Sequence, residues 1–189
     1  MELGDWQFVP LADRSKAMIR AIGAGDGPML QAFVRGLSVR SRYFRFFSAI
    51  RELSAAHLER LVNVDHRRGF ALVALHGRSC NTAIIAEARC VLDREENSAE
   101  FAIVVADEFQ RQGLGTRLMK KLLAHASEKR IHRLFGEILV DNRPMLALAE
   151  RLGFHIRVNA LDHSTMIASI TSSGRRTVAE PWTMAGKFW

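Results

Sequence analysis

A short loop with two glycines, placed between a β-rich run and a long amphipathic stretch, constrains the fold most strongly. The loop, residues 110–116, reads Gln-Arg-Gln-Gly-Leu-Gly-Thr. Residues 101–106 before it are apolar and partly β-branched, and leucines recur at helical spacing through residues 114–130 after it. A strand, a glycine loop and a helix N-terminus together present unsatisfied backbone N–H groups at the positive end of a helix dipole. The segment therefore predicts an anion-binding site in a mixed α/β protein.

Three kinds of phosphate-binding loop place glycines between a strand and a helix. A Walker loop requires a lysine before the hydroxyl residue, whereas Gly115 is followed directly by Thr116. A dinucleotide fingerprint requires a third glycine at the position of Leu118. The acyl-coenzyme A pattern Gln/Arg-x-x-Gly-x-Gly fits residues 110–115 without adjustment. A glycine-containing turn with no ligand is the remaining alternative.

The rest of the chain predicts one mixed α/β domain. With 189 residues, of which 48% are hydrophobic, the chain is long enough to bury a core without disulfides or a metal ion. A polar turn after residue 92 predicts an antiparallel hairpin. Periodicity predicts helices near 27–37, 40–50, 54–62, 114–130 and 145–152, and strands near 17–22, 70–75, 82–92, 100–106, 133–140, 154–160 and 163–170.

The ends of the chain are expected to lie outside that domain. Residues 1–16 read as a polar N-terminal lead-in, residues 17–171 as the domain, and residues 172–189 as a C-terminal tail. The tail carries Trp182, Phe188 and Trp189. These aromatic residues leave three roles open for the tail: docking on the domain, covering a site, or forming the contact of a homodimer.

Charge is the main compositional signal. Lys and Arg number 27 against 20 Asp and Glu, so the net charge is 27 − 20 = +7, and basic residues concentrate in 35–68 and 110–133. Such patches suit a nucleic acid, a phosphorylated cofactor or an acidic protein surface, and a solvated basic face is an equal alternative. No nucleic-acid-binding motif is present, so a nucleic-acid partner is not expected.

Several other classes are not expected. No apolar run is long enough to span a membrane, and the N-terminus has no secretory signal, so we expect a cytoplasmic protein with no membrane partner. Cys80 and Cys90 are too few for a disulfide framework. The seven histidines show no metal-ligand spacing, so no metal is expected.

Two segments in addition to the glycine loop carry a family resemblance. Residues 101–116, followed by Asn-Arg-Pro-Met-Leu-Ala-Leu-Ala-Glu-Arg-Leu-Gly-Phe at 142–154, resemble the GNAT acyltransferase superfamily. Upstream, Leu-Ser-Val-Arg-Ser-Arg-Tyr-Phe-Arg-Phe-Phe at 37–47 resembles the GNAT domain of bacterial protein lysine acetyltransferases, which modify acyl-coenzyme A synthetases. Many of those relatives carry a fused regulatory domain, and a chain of this length has no room for one.

The resemblance implies a fold and a reaction. The fold is the GNAT fold, a mixed, mostly antiparallel twisted sheet flanked by helices. The reaction is direct transfer of an acetyl group from acetyl-coenzyme A (acetyl-CoA) to a primary amine in a ternary complex. The acceptor is expected to be a lysine of a protein, such as an acyl-coenzyme A synthetase. A small-molecule amine acetyltransferase and a coenzyme A-binding regulatory module without turnover are the alternatives.

The resemblance also implies roles for individual residues. Glu100 is the expected general base, because a carboxylate near the acceptor takes the proton of an amine that arrives protonated. The backbone N–H of Val105 is the expected oxyanion donor. Tyr43 and Arg45 are expected to bind the acceptor. The expected cofactor-binding residues are Ile103, Val104, Val105, Gln110, Arg111, Gln112, Gly113, Leu114, Gly115, Thr116, Asn142 and Met145.

The sequence also offers weaker candidates for the general base, and it departs from the family pattern at one position. Asp107, Glu108 and Glu137 are secondary candidates for the base. Many GNAT enzymes carry a tyrosine on the last helix as a general acid, and the corresponding position here is Ala149. The expected site therefore has no general acid at that position.

Overall fold

The structure, a computed structural model, describes residues 6–77, 81–93 and 97–171. Cys80 and the tail residues Trp182, Phe188 and Trp189 lie outside these ranges. The described residues form five helices: α1 (Gly27–Gly36), α2 (Val39–Phe46), α3 (Ala55–Val62), α4 (Leu114–Glu128) and α5 (Arg143–Arg151). They also form eight strands: β1 (Gln7–Pro10), β2 (Lys16–Ala21), β3 (Gly69–His76), β4 (Ala83–Asp93), β5 (Ser98–Val105), β6 (Arg133–Leu139), β7 (His155–Val158) and β8 (Thr165–Thr171).

All eight of these strands belong to one sheet, in the order β1-β2-β3-β4-β5-β6-β8-β7. Every neighbouring pair is antiparallel except β5 and β6, which run parallel. The chain crosses from β5 to β6 through α4, as a parallel connection requires. The predicted mixed, mostly antiparallel sheet flanked by helices is therefore confirmed.

Helices cover both faces of the sheet, which gives the protein two apolar layers. On one face α4 buries Leu118, Met119 and Leu122 against the sheet. On the other face α1 and α3 bury residues that include Leu30 and Leu61. Because both faces are covered, β3 is buried along almost its whole length. That double burial explains why residues 70–75 read as a continuous apolar run rather than as an alternating pattern.

The element boundaries agree with the sequence predictions except in two places. β1 lies within the segment that reads as a lead-in, and it pairs with β2. Its four residues bury only Val9, so they carry no measurable alternation. The second helix ends at Phe46 rather than near residue 50, because Phe47 adopts a left-handed φ of 54°. None of the helices in the described residues is long and apolar enough to cross a bilayer.

Candidate active site

The parallel pair of strands opens into a gap, which is the central feature of the candidate site. In the described chain β5 and β6 pair only from Ser98 to Glu100 and from Arg133 to Phe135. Beyond these residues β5 stays paired with β4, and β6 stays paired with β8. The sheet therefore splits at Glu100, and the rest of β5 lines one wall of the gap.

Backbone direction shows which β5 groups face the gap. The N–H of Ala106 donates to the Ile85 carbonyl at 2.8 Å, on the β4 side. Because the polar groups of successive residues point to opposite edges of a strand, the N–H groups of Ile103 and Val105 point toward the gap. Val104 points its N–H toward β4, and its side chain is buried against the layer of α1 and α3. The geometry thus favours Ile103 and Val105 over Val104 as backbone donors to a ligand.

The bottom of the gap is closed by an aromatic ring. The Phe101 ring lies over Gly136 of β6 so closely that an added Cβ at Gly136 would come within 2.6 Å of the ring. The ring also packs edge-to-face on Phe154, with 5.3 Å between centroids. Gly136 is therefore the residue that allows Phe101 to bridge the two halves of the sheet.

The glycine loop lies at the mouth of the gap. Gly113 adopts a φ of +82° immediately before α4, and Arg111 also has a positive φ of 60°. The N–H of Arg117 donates to the Gly113 carbonyl at 3.1 Å and so starts the helical hydrogen bonds. The N–H groups of residues 114–116 precede this bond and point out of the helix end. A Cβ on Gly115 would lie 3.3 Å from Leu148 and 4.0 Å from Val105, so Gly115 fits between α5 and β5.

Two glutamine side chains of the loop bond the protein itself. The Gln110 amide donates to the Val105 carbonyl at 3.1 Å and to Ser41 Oγ at 3.3 Å. The Gln112 amide donates to the Glu108 carbonyl at 3.0 Å, and its oxygen accepts from the Ala12 N–H at 3.2 Å. These side chains therefore shape the loop, and the groups left for a phosphate are the backbone amides. Arg111 and Thr116 lie on this loop, with Arg111 exposed and Thr116 half-buried.

Asp107 ties the loop to α2. Its carboxylate accepts hydrogen bonds from the Ser38 N–H at 3.0 Å and from the hydroxyls of Ser38 and Ser41 at 2.7 Å each. Partial burial acts to raise the pKa of Asp107, but these hydrogen bonds outweigh it and the pKa lies below its ordinary value. Asp107 thus has a positioning role in the structure. Ser38 and Ser41, the two serines of the 37–47 segment, serve the same purpose, because both donate to this carboxylate.

Glu100 lies where the sheet splits, within a cluster of buried charges. It is 6% exposed and faces the same side of the sheet as Arg89, its diagonal neighbour on β4. Burial lowers the pKa of Arg45, whereas the carboxylates of Glu87 and Glu100 act to raise it. The Glu100 carboxylate is thus within electrostatic range of the Arg45 guanidinium, and its surroundings are positively charged.

The two expected acceptor-binding residues lie at different depths on α2. Tyr43 is 45% exposed, on the same helix as Ser41. Arg45 is not exposed, because its guanidinium is buried against Glu87 at 3.2 Å. The structure therefore places Arg45 beneath the entrance rather than on it. Arg40, which is exposed, donates to the Asp141 carbonyl at 3.4 Å and so links α2 to the turn before α5.

The candidate residues on and next to α5 and β6 mostly contact other residues of the protein itself. Asn142 caps α5, since its side-chain oxygen accepts from the Met145 N–H at 3.3 Å. Met145 is half-buried and packs on the main core. Ala149 is completely buried, so this position faces the core. Glu137 accepts hydrogen bonds from Asn159 and Thr165, which gives it a role in the β6–β8 framework.

Sequence reasoning did not identify Glu87 and Arg89. Both are buried on β4 and are joined by a short ion pair, and Arg89 also donates to the Leu61 carbonyl at 3.1 Å. Their signal is present in the sequence: two charged residues two positions apart within a strand that is otherwise apolar. Such a pair lies on one face and requires partners there.

Across residues 6–77, 81–93 and 97–171, no three His, Cys, Asp or Glu side chains converge as metal ligands. Burial raises the pKa of the Cys90 thiol to about 12, so this cysteine is not a reactive thiolate.

The splayed sheet and the glycine loop at its mouth match the arrangement that the GNAT resemblance implies for an acetyl-CoA-dependent N-acetyltransferase. The family model described as "Acetyltransferase (GNAT) family" matches residues 36–154. The chain therefore belongs to the GNAT family of acetyltransferases, whose acyl donor is acetyl-CoA.

Curated relatives support the same family. The chain is 30% identical over 151 residues to the acetyltransferase PA5475 of Pseudomonas aeruginosa, a match that covers 80% of this chain and 81% of that protein. It is 33% identical over 111 residues to the acetyltransferase Pat of Mycolicibacterium smegmatis. The second match covers 58% of this chain and 33% of the relative, so the chain spans about a third of that relative's length.

Solved structures of acyltransferases are similar to this chain in fold. The GNAT domain of S. lividans PAT aligns with a TM-score of 0.78 at 25% identity, over 88% of this chain and 96% of that domain. A cAMP-binding acyltransferase from Mycobacterium smegmatis aligns with a TM-score of 0.60 at 26% identity. This chain spans about half of that structure, 47% of its length.

Proposed function

We propose that the chain transfers the acetyl group of acetyl-CoA to a lysine side chain of a protein, with Glu100 as the general base. The observation that carries the proposal is the position of Glu100, the last β5 residue paired with β6, where the gap begins. A carboxylate at this point is next to the strand segment whose N–H groups face the gap. The base for the attacking amine and the oxyanion donor for the thioester carbonyl would therefore lie on one strand.

The proposed reaction is direct attack. The amine nitrogen forms a bond to the thioester carbonyl carbon, and Glu100 takes a proton from the nitrogen, directly or through water. The carbonyl oxygen becomes an oxyanion, and the N–H of Val105 is the proposed donor to it. The carbon–sulfur bond then breaks and the thiolate leaves. Since Ala149 is the residue at the usual tyrosine position, we propose that no side chain of α5 protonates the leaving thiolate.

We assign the pyrophosphate of acetyl-CoA to the glycine loop. The N–H groups of residues 112–116 would donate to it, supported by the left-handed backbone at Gly113 and by the dipole of α4. The N–H of Ile103 would bond the pantetheine arm. Roles for Arg111, Thr116, Asn142 and Met145 in holding the cofactor belong to the same proposal.

The acceptor side of the proposal rests on α2. Tyr43 and Arg40 are exposed on this helix, and Arg40 reaches the turn before α5 across the gap. Together with the resemblance of 37–47 to protein lysine acetyltransferases, this supports a protein acceptor with acidic residues around the modified lysine. An acyl-coenzyme A synthetase is the first candidate.

The test is release of coenzyme A from acetyl-CoA by wild type and Glu100→Gln, with an acyl-coenzyme A synthetase and a panel of polyamines as acceptors. We expect release with the synthetase, acetyl-lysine in the product by mass spectrometry, and a fall in kcat of about 100-fold in Glu100→Gln. The affinity for acetyl-CoA, measured by calorimetry, should stay unchanged, because the substitution is isosteric and the loop is intact.

Glu108→Gln is the matched control, since Glu108 is an exposed carboxylate just before the loop. Its activity should equal that of wild type. An equal loss in both variants, or no loss in Glu100→Gln, would overturn the role of Glu100. Release only with polyamines would assign the chain to small-molecule amines, and tight binding with no release from any acceptor would indicate a coenzyme A-binding module.

A further inference from the structure

A second concave site lies on the opposite face of the sheet from α4, under α3. It is an open pocket of about 120 Å³ between α3, the start of β3 and the end of β4. Two small β3 residues create the space, because Gly69 and Ala71 form part of its floor beside Arg89. Gly69 has no room for a side chain, since a Cβ there would lie 2.7 Å from the Cys90 carbonyl oxygen. The floor of the pocket is therefore strand backbone.

The lining of this pocket is strongly basic. Arg60, Arg68, Arg89 and His57 contribute to it, against one acidic residue, Asp65. The Asp65 carboxylate is used locally, where Oδ1 accepts from the Arg67 N–H at 2.9 Å. Neither the Arg60 nor the Arg68 guanidinium forms a hydrogen bond or ion pair within the described part of the chain. Two arginines with unused donors thus line a pocket in which basic residues outnumber the single carboxylate, Asp65.

His57 supplies a second, independent observation. Its Nε2 is buried and has no hydrogen-bond partner among the described residues. Burial lowers the pKa of His57, and the positive charges of Arg60, Arg45 and Arg89 lower it further. An unpartnered buried nitrogen is costly unless a ligand or water completes it. The neighbouring positive charges favour an anion as that ligand.

We propose that this pocket binds a small oxyanion, a phosphate or carboxylate group, held between the guanidinium groups of Arg60 and Arg68 with His57 beside it. Planar guanidinium groups bind both anions through paired N–H donors. The volume of about 120 Å³ admits one such group with a few waters.

The pocket is separate from the glycine loop. It lies at the level of the pair Ala71–Arg89, whereas the loop follows Val105, which pairs with Ala86. Three residue steps along β4 separate the two levels, which is about 10 Å along the strand. The pocket also touches the buried charges, because Arg89 lines it and is the ion-pair partner of Glu87. An anion bound there would attract the Arg89 guanidinium and so change the electrostatic surroundings of Glu100.

The test uses the whole chain without acetyl-CoA, so that its result does not depend on the proposed acetyl transfer. Inorganic phosphate and acetate are titrated separately by calorimetry and by NMR, at ionic strength matched with sodium chloride. We expect saturable binding of at least one anion, with a shift of the His57 imidazole signal, identified by its absence in His57→Gln. The double variant Arg60→Ala/Arg68→Ala should weaken binding at least tenfold.

A matched control removes two positive charges elsewhere. Lys120→Ala/Lys129→Ala changes two exposed residues of α4 and its C-terminus, and it should bind the anion like wild type. Equal weakening in the two double variants would mean that net charge alone attracts the anion, and this would overturn the site. Absence of saturable binding of both probes by wild type would also overturn it. Phosphate binding without acetate binding, or the reverse, would identify the anion class.

Discussion

Arg45 of α2 and Glu87 of β4 form an ion pair of 3.2 Å whose side chains are only 1% and 4% exposed. Arg89 occupies the other Glu87 oxygen. Burial acts to raise the pKa of Glu87, but Arg89 and Arg45 together outweigh burial and hold the pKa below its ordinary value. This cluster fixes α2 against the sheet next to Glu100, so the α2 side of the gap rests on a buried charge network.

Removing Glu87 should therefore destabilise the protein severely. Glu87→Ala leaves two buried arginines without their shared carboxylate, and we expect the free energy of unfolding to fall by about 3–5 kcal/mol. Glu52→Ala is the matched control, because it breaks an exposed ion pair with Arg35 and should cost about 1 kcal/mol or less. Urea unfolding followed by circular dichroism measures both. Equal losses would contradict a special role for the buried pair.

Asp107 should give the protein a stabilising contribution that acid removes. Its folded pKa lies below the unfolded value, so the stabilisation is complete above the ordinary carboxyl pKa and is lost as pH falls through the folded pKa. Asp107→Asn should thus destabilise the protein at pH 7, and the difference from wild type should shrink at pH values below about 3.9. Urea midpoints at several pH values test this. Glu108→Gln, which removes no hydrogen bond of the described structure, should show no such difference.

Gly113 should be sensitive to substitution for conformational reasons alone. No atom lies within 4 Å of the position a Cβ would take, but its φ of +82° is unfavourable for other residues. Gly113→Ala should cost about 1–2 kcal/mol of stability and weaken acetyl-CoA binding. In Gly36→Ala the added methyl also has no atom within 4 Å, and the backbone at this position is helical. That control should leave stability unchanged or raise it by up to about 1 kcal/mol. A neutral Gly113→Ala would show that the left-handed conformation is dispensable.

Gly136 should be sensitive for steric reasons. A Cβ there would lie 2.6 Å from the Phe101 ring, so Gly136→Ala should cost about 1–3 kcal/mol through overpacking and should move β6 relative to β5. A double-mutant cycle with Phe101→Leu checks the mechanism, because the smaller side chain relieves the clash. The Gly136→Ala penalty should be smaller in the Phe101→Leu background. Additive penalties would place the cause elsewhere.

Much of the fold could be predicted from local patterns. The helix over residues 114–130 and the strand before it were predicted because apolar periodicity and glycine placement are properties of neighbouring residues. Asn142, which the resemblance implies as a cofactor-binding residue, caps α5 in the structure. β1 could not be predicted, because four residues with one buried side chain carry too little pattern.

The features of the candidate site also divide into those that the sequence predicts and those that only the structure shows. The sequence alone determined the family resemblance and the glycine loop, since these depend on residue identity at short spacing. The choice of Glu100 followed from the resemblance, and its role as the base stays a prediction. Only the tertiary structure decided that Arg45 lies buried on Glu87, that Asp107 is bound by two serines, and that β5 and β6 separate after Glu100. These features join residues distant in sequence. Their energies depend on desolvation and on partners that only the assembled sheet brings together.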